Sequence, residues 1–434
     1  MFESIQLIIL LLVSSVLMVA LFRYLRLPPM IAYFVVGLIL GPYALGVLPD
    51  SESSRHFVEF GIVFLMFTIG LEFSLPKLNS MRHILFGLGG AQVAITLLTT
   101  MVFSTFLGLD LAEAFIIGSA LTMSSTAIVS KILMERIDLN SRHGQLSIGI
   151  LLFQDIAVIL ILILIPVFNS QVIDLYSLLW ISLFKIVVLL FILFRVGQPV
   201  MNFWFGIVAK QKSRELFVLN VLMITLIFAY VTKLTGLSYA LGAFLAGMLI
   251  SETRYRYQVE SDIASFRDIL LGLFFISIGM MLNLDVLIEY YPTIFLIFFL
   301  YTIFKATVIT FLARLFKYEL GVGIRAGVIL GQAGEFSFVI LALGQEQGLI
   351  SGNILQIILS VCLLSMLFAS LIIPFNGRIA RYISKEYLKN SEKLVNKIEA
   401  SSEDFNEHVI ICGYGRGGQY LGRFLKEENI SFIA

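Results

Sequence analysis

The sequence predicts an all-α polytopic membrane protein that runs into the first elements of an α/β domain, and three observations carry that reading. Of the 434 residues, 59% are hydrophobic and only 14% are charged, whereas a soluble chain usually carries about 25% charged residues. The apolar residues stand in long blocks, such as Leu7 to Phe22, Ile84 to Leu107 and Ile354 to Pro374. Each is near the roughly 20 residues that a helix needs to cross about 30 Å of hydrocarbon. After Pro374 the composition turns polar, and a short strand, glycine-rich turn, helix and strand pattern follows.

Hydropathy and helix breakers place about 13 spans, at 5–22, 29–47, 57–73, 84–107, 112–133, 146–168, 176–196, 215–233, 238–251, 267–283, 292–316, 324–344 and 354–375. The first block has Glu3 in place of a basic start and no small-residue cleavage site, so it reads as a span and not as a removable leader. Alternate connections carry the basic residues: Arg23 and Arg26; Lys77 and Arg82; Lys131, Arg136 and Arg142; Lys210, Lys212 and Arg214; Arg254, Arg256 and Arg267; Arg314, Lys317 and Arg325. The opposite connections hold Asp50, Glu52, Asp110, Asp174 and Asp285, with little basic beyond Arg55 and Lys233. That bias places the N-terminus outside and the C-terminus in the cytoplasm, as an odd number of spans requires. The expected setting is the bacterial cytoplasmic (inner) membrane, with lipids as partners. A net charge of +1 offers no basic field for nucleic acid. Cys362 and Cys412 show neither metal-ligand spacing nor a disulfide framework.

Residues 1–376 therefore read as one membrane domain. Residues 377–406, rich in Lys, Glu, Ser and Asn from Arg378 to Glu403, predict a cytoplasmic linker helix. Within 407–434, His408 to Cys412 reads as a strand, followed by Gly413-Tyr414-Gly415-Arg416-Gly417-Gly418, an amphipathic stretch to Leu425 and a second strand from Ile430 to Ile433. This order opens a Rossmann-like nucleotide-binding fold. About 28 residues cannot bury a core, so the expectation is a larger domain cut short.

An ionisable side chain at the bilayer centre costs at least about 2.5 kcal/mol, which makes each one a functional candidate. Three stand out. Asp155 lies in an apolar stretch, 149–159, whose only other polar side chain is Gln154. Away from bulk water its carboxylate can hold a proton or a dehydrated cation but not both, which is the minimum device for coupled exchange. Gln154 adds an amide carbonyl as a neutral oxygen ligand. The bland reading of Asp155 is a structural ion pair with Lys305. For Lys305 itself, structural support by such pairing or by capping helix ends outweighs direct proton carriage. Glu335 reads equally as a local hydrogen-bond acceptor and as part of the ion pathway.

Two segments look like broken helices. Gly118 to Ala127, with Thr122, Ser124, Ser125 and Thr126, is a polar run inside the fifth span, and Gly327 to Glu335, with Gly331, Gln332 and Gly334, is a glycine-rich run inside the twelfth. Freed carbonyls and half-helix ends are tolerated at membrane depth only around a cavity, where they can ligate ions. The two runs fall seven spans apart, and an odd offset reverses orientation as an inverted repeat requires. Tight packing through small residues is the competing reading for either run alone.

Together these segments resemble the Kef-type potassium:proton antiporters of the second monovalent cation:proton antiporter family. The stretches that carry the resemblance are Leu121-Thr-Met-Ser-Ser-Thr-Ala-Ile, Leu151-Leu-Phe-Gln-Asp-Ile-Ala, Gly242-Ala-Phe-Leu-Ala-Gly, Glu260-Ser-Asp-Ile, Leu270-Leu-Gly-Leu-Phe-Phe-Ile, Gly331-Gln-Ala-Gly-Glu-Phe and Gly413-Tyr-Gly-Arg-Gly-Gly. The resemblance implies a sodium/proton antiporter-like fold: a homodimer with a scaffold and a mobile core in which two broken helices cross. It places the monovalent cation at Asp155 and Gln154, puts Ser124, Ser125 and Thr126 at the helix break, and leaves Lys305, Glu335 and Gln332 as core support. It implies potassium efflux against proton entry by an elevator-type movement. Potassium is favoured because Gln-Asp stands where many sodium-selective relatives have a second carboxylate. It further implies a regulatory loop at Glu260 and Asp262, for which a merely solvated loop is the competing reading. The Gly413, Gly415, Arg416 and Gly418 turn would bind NAD(H) or AMP in the full regulatory domain, with glutathione or an ancillary regulatory subunit as further partners. No cofactor is implied for the membrane domain.

A sodium:proton antiporter is the alternative within this class, and a nucleotide-gated potassium channel the alternative outside it. A channel needs a filter of backbone carbonyls, and no TVGYG-like loop stands between the spans. No nucleophile–base set or metal cluster marks an enzyme.

Overall fold

Long apolar runs of Leu, Ile, Val and Phe fold into helices because every backbone N–H and C=O in hydrocarbon needs a partner within its own segment. The computed structural model describes residues 4–25, 27–47, 52–73, 78, 80–168, 195, 197–235, 238–384, 408–413, 416–428 and 430–433. In chain order the helices are α1 (Ser4–Tyr24), α2 (Pro29–Leu40), α3 (Glu52–Glu72), α4 (Gly90–Phe106, entered through a π-helical turn at His83–Gly89), α5 (Leu111–Thr122), α6 (Thr126–Glu135) and α7 (Arg142–Phe168). They continue with α8 (Gln198–Lys210), α9 (Arg214–Leu234), α10 (Tyr239–Ser251), α11 (Arg256–Met280), α12 (Leu284–Glu289), α13 (Tyr291–Leu315), α14 (Leu320–Leu330), α15 (Glu335–Glu346), α16 (Gly352–Ile372) and α17 (Asn376–Ile383).

Among the described residues, six helices are long and apolar enough to cross a membrane, or eight if each of two bent pairs is one span, and four shorter apolar helices accompany them. Of the 13 expected spans, 176–196 falls almost wholly outside the described residues, as does most of the expected linker 377–406. The second expected span ends early, since the helix stops at Leu40 and Gly41 turns the chain out. The tenth begins early: α11 starts at Arg256, so Glu260 and Asp262 stand on a helix and not on the expected loop. Asp262 is tied across to α9 by an ion pair with Arg214 at 2.9 Å.

In two helix pairs among the described residues, glycines from both partners meet at the crossing. In α2 and α11, a Cβ on Gly37 would lie 1.9 Å from Ile276 C=O, and one on Gly279 would lie 2.2 Å from Phe34 C=O. In α3 and α10, a Cβ on Gly70 would meet Phe244 C=O at 2.2 Å, and one on Gly247 would meet Phe67 C=O at 2.1 Å. Small residues bring backbones together where lipid supplies no hydrophobic drive between helices. These four helices form one packed unit. The other consists of α4–α7 with α13–α16, and the interruptions α5/α6 and α14/α15 cross within it. The second interruption bends by 47°. In the order of the expected spans, an offset of seven maps the α2–α11 pair onto the α10–α3 pair and one interruption onto the other, the pattern of an inverted repeat.

The C-terminal segment folds as a β-α-β unit. Strands β1 (Val409–Ile410) and β2 (Phe432–Ile433) pair in parallel, Val409 opposite Phe432, with helix α18 (Arg416–Glu427) between them. The Gly413 backbone has φ +108° and a Cβ on Gly418 would meet Gly413 C=O at 2.1 Å, so both glycines are needed for this turn. Gly415 and the Arg416 side chain lie outside the described residues.

Gly247→Leu is expected to force α3 and α10 apart and to destabilise the protein by about 1–3 kcal/mol or more, the usual cost of overpacking. Gly206→Ala, whose Cβ meets only Tyr255 Oη at 3.6 Å, is expected to be silent. Thermal melting of the two variants in detergent checks the contrast.

Candidate functional site

A helix that stops leaves its last carbonyls and first amides without intrahelical partners. At the two interruptions these groups are buried, and side chains from neighbouring helices meet them one by one. At the carbonyl end of α5, Ala120 C=O accepts from Ser337 Oγ at 2.5 Å, Leu121 C=O from Tyr301 Oη at 2.8 Å and Thr122 C=O from Gln92 Nε2 at 3.5 Å. Lys305, wholly buried on α13, places Nζ among four neutral oxygens: Leu121 C=O at 3.0 Å, Met123 C=O at 2.8 Å, Gln332 C=O at 2.9 Å and Tyr301 Oη at 3.0 Å. The cation thus sits where the negative ends of α5 and α14 converge. None of the four partners is a carboxylate, so of the two supporting roles read for Lys305, pairing with Asp155 or capping helix ends, its contacts are those of a cap.

The amide ends carry the opposite charge. Ser125 caps α6, its Oγ accepting from Ile128 N–H at 3.1 Å. Glu335, 5% exposed at the first position of α15, lies across the crossing with its carboxylate beside the Ser125 hydroxyl and the N–H groups of Thr126 and Ala127. Its Oε2 has no hydrogen-bond partner among the described residues. A carboxylate at the meeting of two helix N-termini is favourably placed. The two breaks touch directly at Gly334, where a Cβ would lie 2.6 Å from the Ser124 carbonyl carbon. Gln332 adds a second tie, its side-chain oxygen accepting from Ser125 N–H at 3.2 Å and its nitrogen donating to Ala333 C=O.

Asp155 lies half-buried on α7, against the start of α6, with Thr126 Oγ1 donating to its Oδ1 at 3.4 Å. Thr126 therefore faces both acids, Asp155 through its hydroxyl and Glu335 through its amide. Gln154, fully buried one residue earlier, points the other way: its Oε1 accepts from Ser124 N–H at 2.7 Å, and its Nε2 donates to Gln92 Oε1 at 2.8 Å and to Ser124 Oγ at 3.4 Å. Ser124 Oγ in turn donates to Leu330 C=O at 2.9 Å, the last residue of α14. The oxygen expected to ligate a cation is thus engaged in bracing the break. Ser124, Ser125, Thr126, Gln154, Asp155, Lys305, Gln332 and Glu335 all come together at the crossing. Glu260, Asp262 and the glycine turn take no part in these contacts.

Sequence reading passed over Gln92, Tyr301 and Ser337. A buried glutamine in an otherwise apolar span was the available signal for the first. Tyr301 and Ser337 belong to residue types too common in helices to stand out.

A family model described as sodium/hydrogen exchanger, transmembrane, matches residues 9–376. The chain belongs to that family. It is 38% identical over 427 residues to the putative K(+) efflux antiporter KefB of Alkalimonas amylolytica, covering 96% of this chain and 64% of the relative. It is 35% identical over 435 residues to K(+) efflux antiporter 1, chloroplastic, of Arabidopsis thaliana, covering 98% of this chain and 36% of that one. The chain thus spans about two-thirds or less of the length of these relatives. Among solved structures, the sodium proton antiporter MjNhaP1 of Methanocaldococcus jannaschii shares the fold with a TM-score of 0.59 at 15% identity, over 86% of this chain and 97% of that one. The crossed interruptions, the inverted repeat and the packed glycine helices are the exchanger fold seen in this chain's own residues.

Because Lys305 supports four oxygens at once, Lys305→Gln is expected to lower stability by about 3 kcal/mol, the order expected when hydrogen bonds to a buried charge are lost. Its ion preference is expected to change less. Melting curves beside transport assays check this; a variant of wild-type stability that no longer transports would show that Lys305 carries protons instead.

Proposed function

We propose that this chain is a secondary active antiporter that exchanges potassium for protons across a cytoplasmic membrane. The observation that carries the reading is a half-buried carboxylate, Asp155, hydrogen-bonded into the break between two half-helices. Two relatives named as K(+) efflux antiporters, each matching 96% or more of this chain, support potassium as the cation.

The cycle follows from one group with two exclusive loads. A proton on Asp155 removes the negative charge that would hold a cation, and a cation beside Asp155 disfavours the proton. Thr126 Oγ1, with backbone oxygens at the break, is placed to share coordination with the carboxylate. Oxygen ligands of this kind replace part of a hydration shell. Lys305 and Glu335 stay in place and hold the crossing together. The unit that contains it moves as one body against the glycine-packed α2, α3, α10 and α11, carrying Asp155 from one face to the other in an elevator-type movement. Two such chains form a homodimer, with the N-terminus outside and the C-terminus in the cytoplasm, in keeping with the basic connections.

The β-α-β segment belongs to a regulatory nucleotide-binding domain joined by the linker 377–406. Its turn is compatible with a nucleotide phosphate: the positive φ of Gly413 makes the tight turn, and the missing Cβ of Gly418 lets α18 begin against Gly413 C=O, so that a helix N-terminus follows the strand directly. Gly413, Gly415 and Gly418 would hold NAD(H) or AMP there, and the bound nucleotide would supply a conformational signal.

Proteoliposomes loaded with a pH gradient test the exchange. Addition of potassium is expected to dissipate the gradient, with rubidium, sodium and lithium compared beside it. Asp155→Asn is expected to reduce the cation-dependent rate to background while leaving the melting curve close to wild type. Cation-dependent exchange that persists in Asp155→Asn would overturn the assignment of the site. Flux that follows voltage with no proton movement would identify a channel.

A further inference from the structure

Gln92 on α4 is fully buried, and the exchange cycle above does not use it. Its Oε1 accepts from Gln154 Nε2 at 2.8 Å, and its Nε2 donates to Thr96 Oγ1 at 3.2 Å and to Thr122 C=O at 3.5 Å. Backbone groups decide how both amides are turned. The N–H of Ser124 only donates, so the Gln154 atom 2.7 Å away is the oxygen. The C=O of Thr122 only accepts, so the Gln92 atom facing it is the nitrogen. The two glutamines thus form a directed chain from the N–H on one side of Met123 to the C=O on the other.

We propose that Gln92 is a positioning residue that sets the cation preference of the site, by holding the Gln154 amide turned toward the break. The inference rests on the antiport reading and deepens it. With Gln92 in place, a half-turn of the Gln154 amide would set its nitrogen against Ser124 N–H and its oxygen against Gln92 Oε1. Those are two repulsive contacts between fully buried amides. Without Gln92 only the first remains, and the Gln154 oxygen becomes able to swing out beside Asp155 as an additional ligand. Both changes reach the ion: Ser124 loses the brace that sets Thr126 against Asp155, and the number of oxygens around the cation is no longer fixed. The number and field strength of such oxygens govern selection among monovalent cations.

The test compares wild type, Gln92→Met and Gln92→Glu in proteoliposomes, measuring KM and kcat for potassium and for sodium together with thermal melting. Methionine keeps the length and apolar packing of the side chain but removes all three hydrogen bonds. A neutral glutamic acid keeps an acceptor for Gln154 and one donor. Gln92→Met is expected to raise KM for potassium about tenfold, the equivalent of one well-formed hydrogen bond. It is also expected to change the potassium-to-sodium preference by at least about threefold, with a smaller effect on kcat. Gln92→Glu is expected to stay within about threefold of wild type in all of these. A Gln92→Met protein with wild-type KM and ion preference, whatever its melting temperature, overturns the inference and leaves Gln92 a packing residue. A wild type without cation-dependent exchange overturns the antiport reading and this inference with it, so the two failures are distinct. Should Gln92→Met not reach the membrane, Thr96→Val carries the test by removing one of the two acceptors of Gln92 Nε2. A shift of about twofold in the same direction supports the inference, and wild-type behaviour overturns it.

Discussion

The crossing of two interrupted helices brings four helix ends into the interior, and the membrane domain depends on their charges being met. Each end carries roughly half a unit of partial charge, and the groups that carry it are buried. The carbonyl ends of α5 and α14 converge on Lys305, while the amide ends of α6 and α15 converge on Glu335. One buried cation and one buried carboxylate thus balance the crossing from opposite sides. Both are expensive residues to bury, and both sit where a helix end returns the cost. In the proposed cycle this frame stays constant, and the charge that changes with the load is that of Asp155.

The inverted repeat shows where the two halves agree and where they part. Each half supplies one member to each of the glycine-packed pairs, α2 with α11 and α3 with α10. Each break has an amide held by a side chain from the following long helix, Ser124 N–H by Gln154 on α7 and Ala333 N–H by Ser365 on α16, the latter at 3.0 Å. The support from α4 and α13 then differs in kind. Gln92 on α4 is a neutral amide that reaches one break directly at Thr122 C=O and through Gln154, whereas Lys305 on α13 binds carbonyls of both breaks. The carboxylate next to the brace is present only on α7. A symmetric frame thus carries one asymmetric site.

Much of this was legible before any coordinates. Asp155 stood out because it is an acid in an apolar run, and the two interruptions stood out through Ser124 to Thr126 and Gly331 to Gly334. Their spacing announced the inverted repeat. What stayed hidden were partners far apart in sequence: Lys305 with Leu121 and Met123, Gln92 with Gln154, Glu335 with the start of α6. The reading of Glu260 and Asp262 as a loop failed for a local reason, since a charged, polar stretch serves equally well as the first turns of a helix projecting beyond the apolar layer. The brace at Gln154 was not legible because its residue type allows both a ligand and a brace, and the contact depends on the backbone N–H that faces it.

Hydropathy, breakers and loop charge determine that the chain is helical, lies in a membrane, breaks two helices at related positions and buries an acid beside one break. These are properties of short windows, and the solvent imposes them segment by segment. The assignment of each buried polar group to its partner is decided only when the helices pack, because a hydrogen bond in hydrocarbon is set by distance and direction in three dimensions. That step made Lys305 a cap, Glu335 its counterpart and Gln154 a brace.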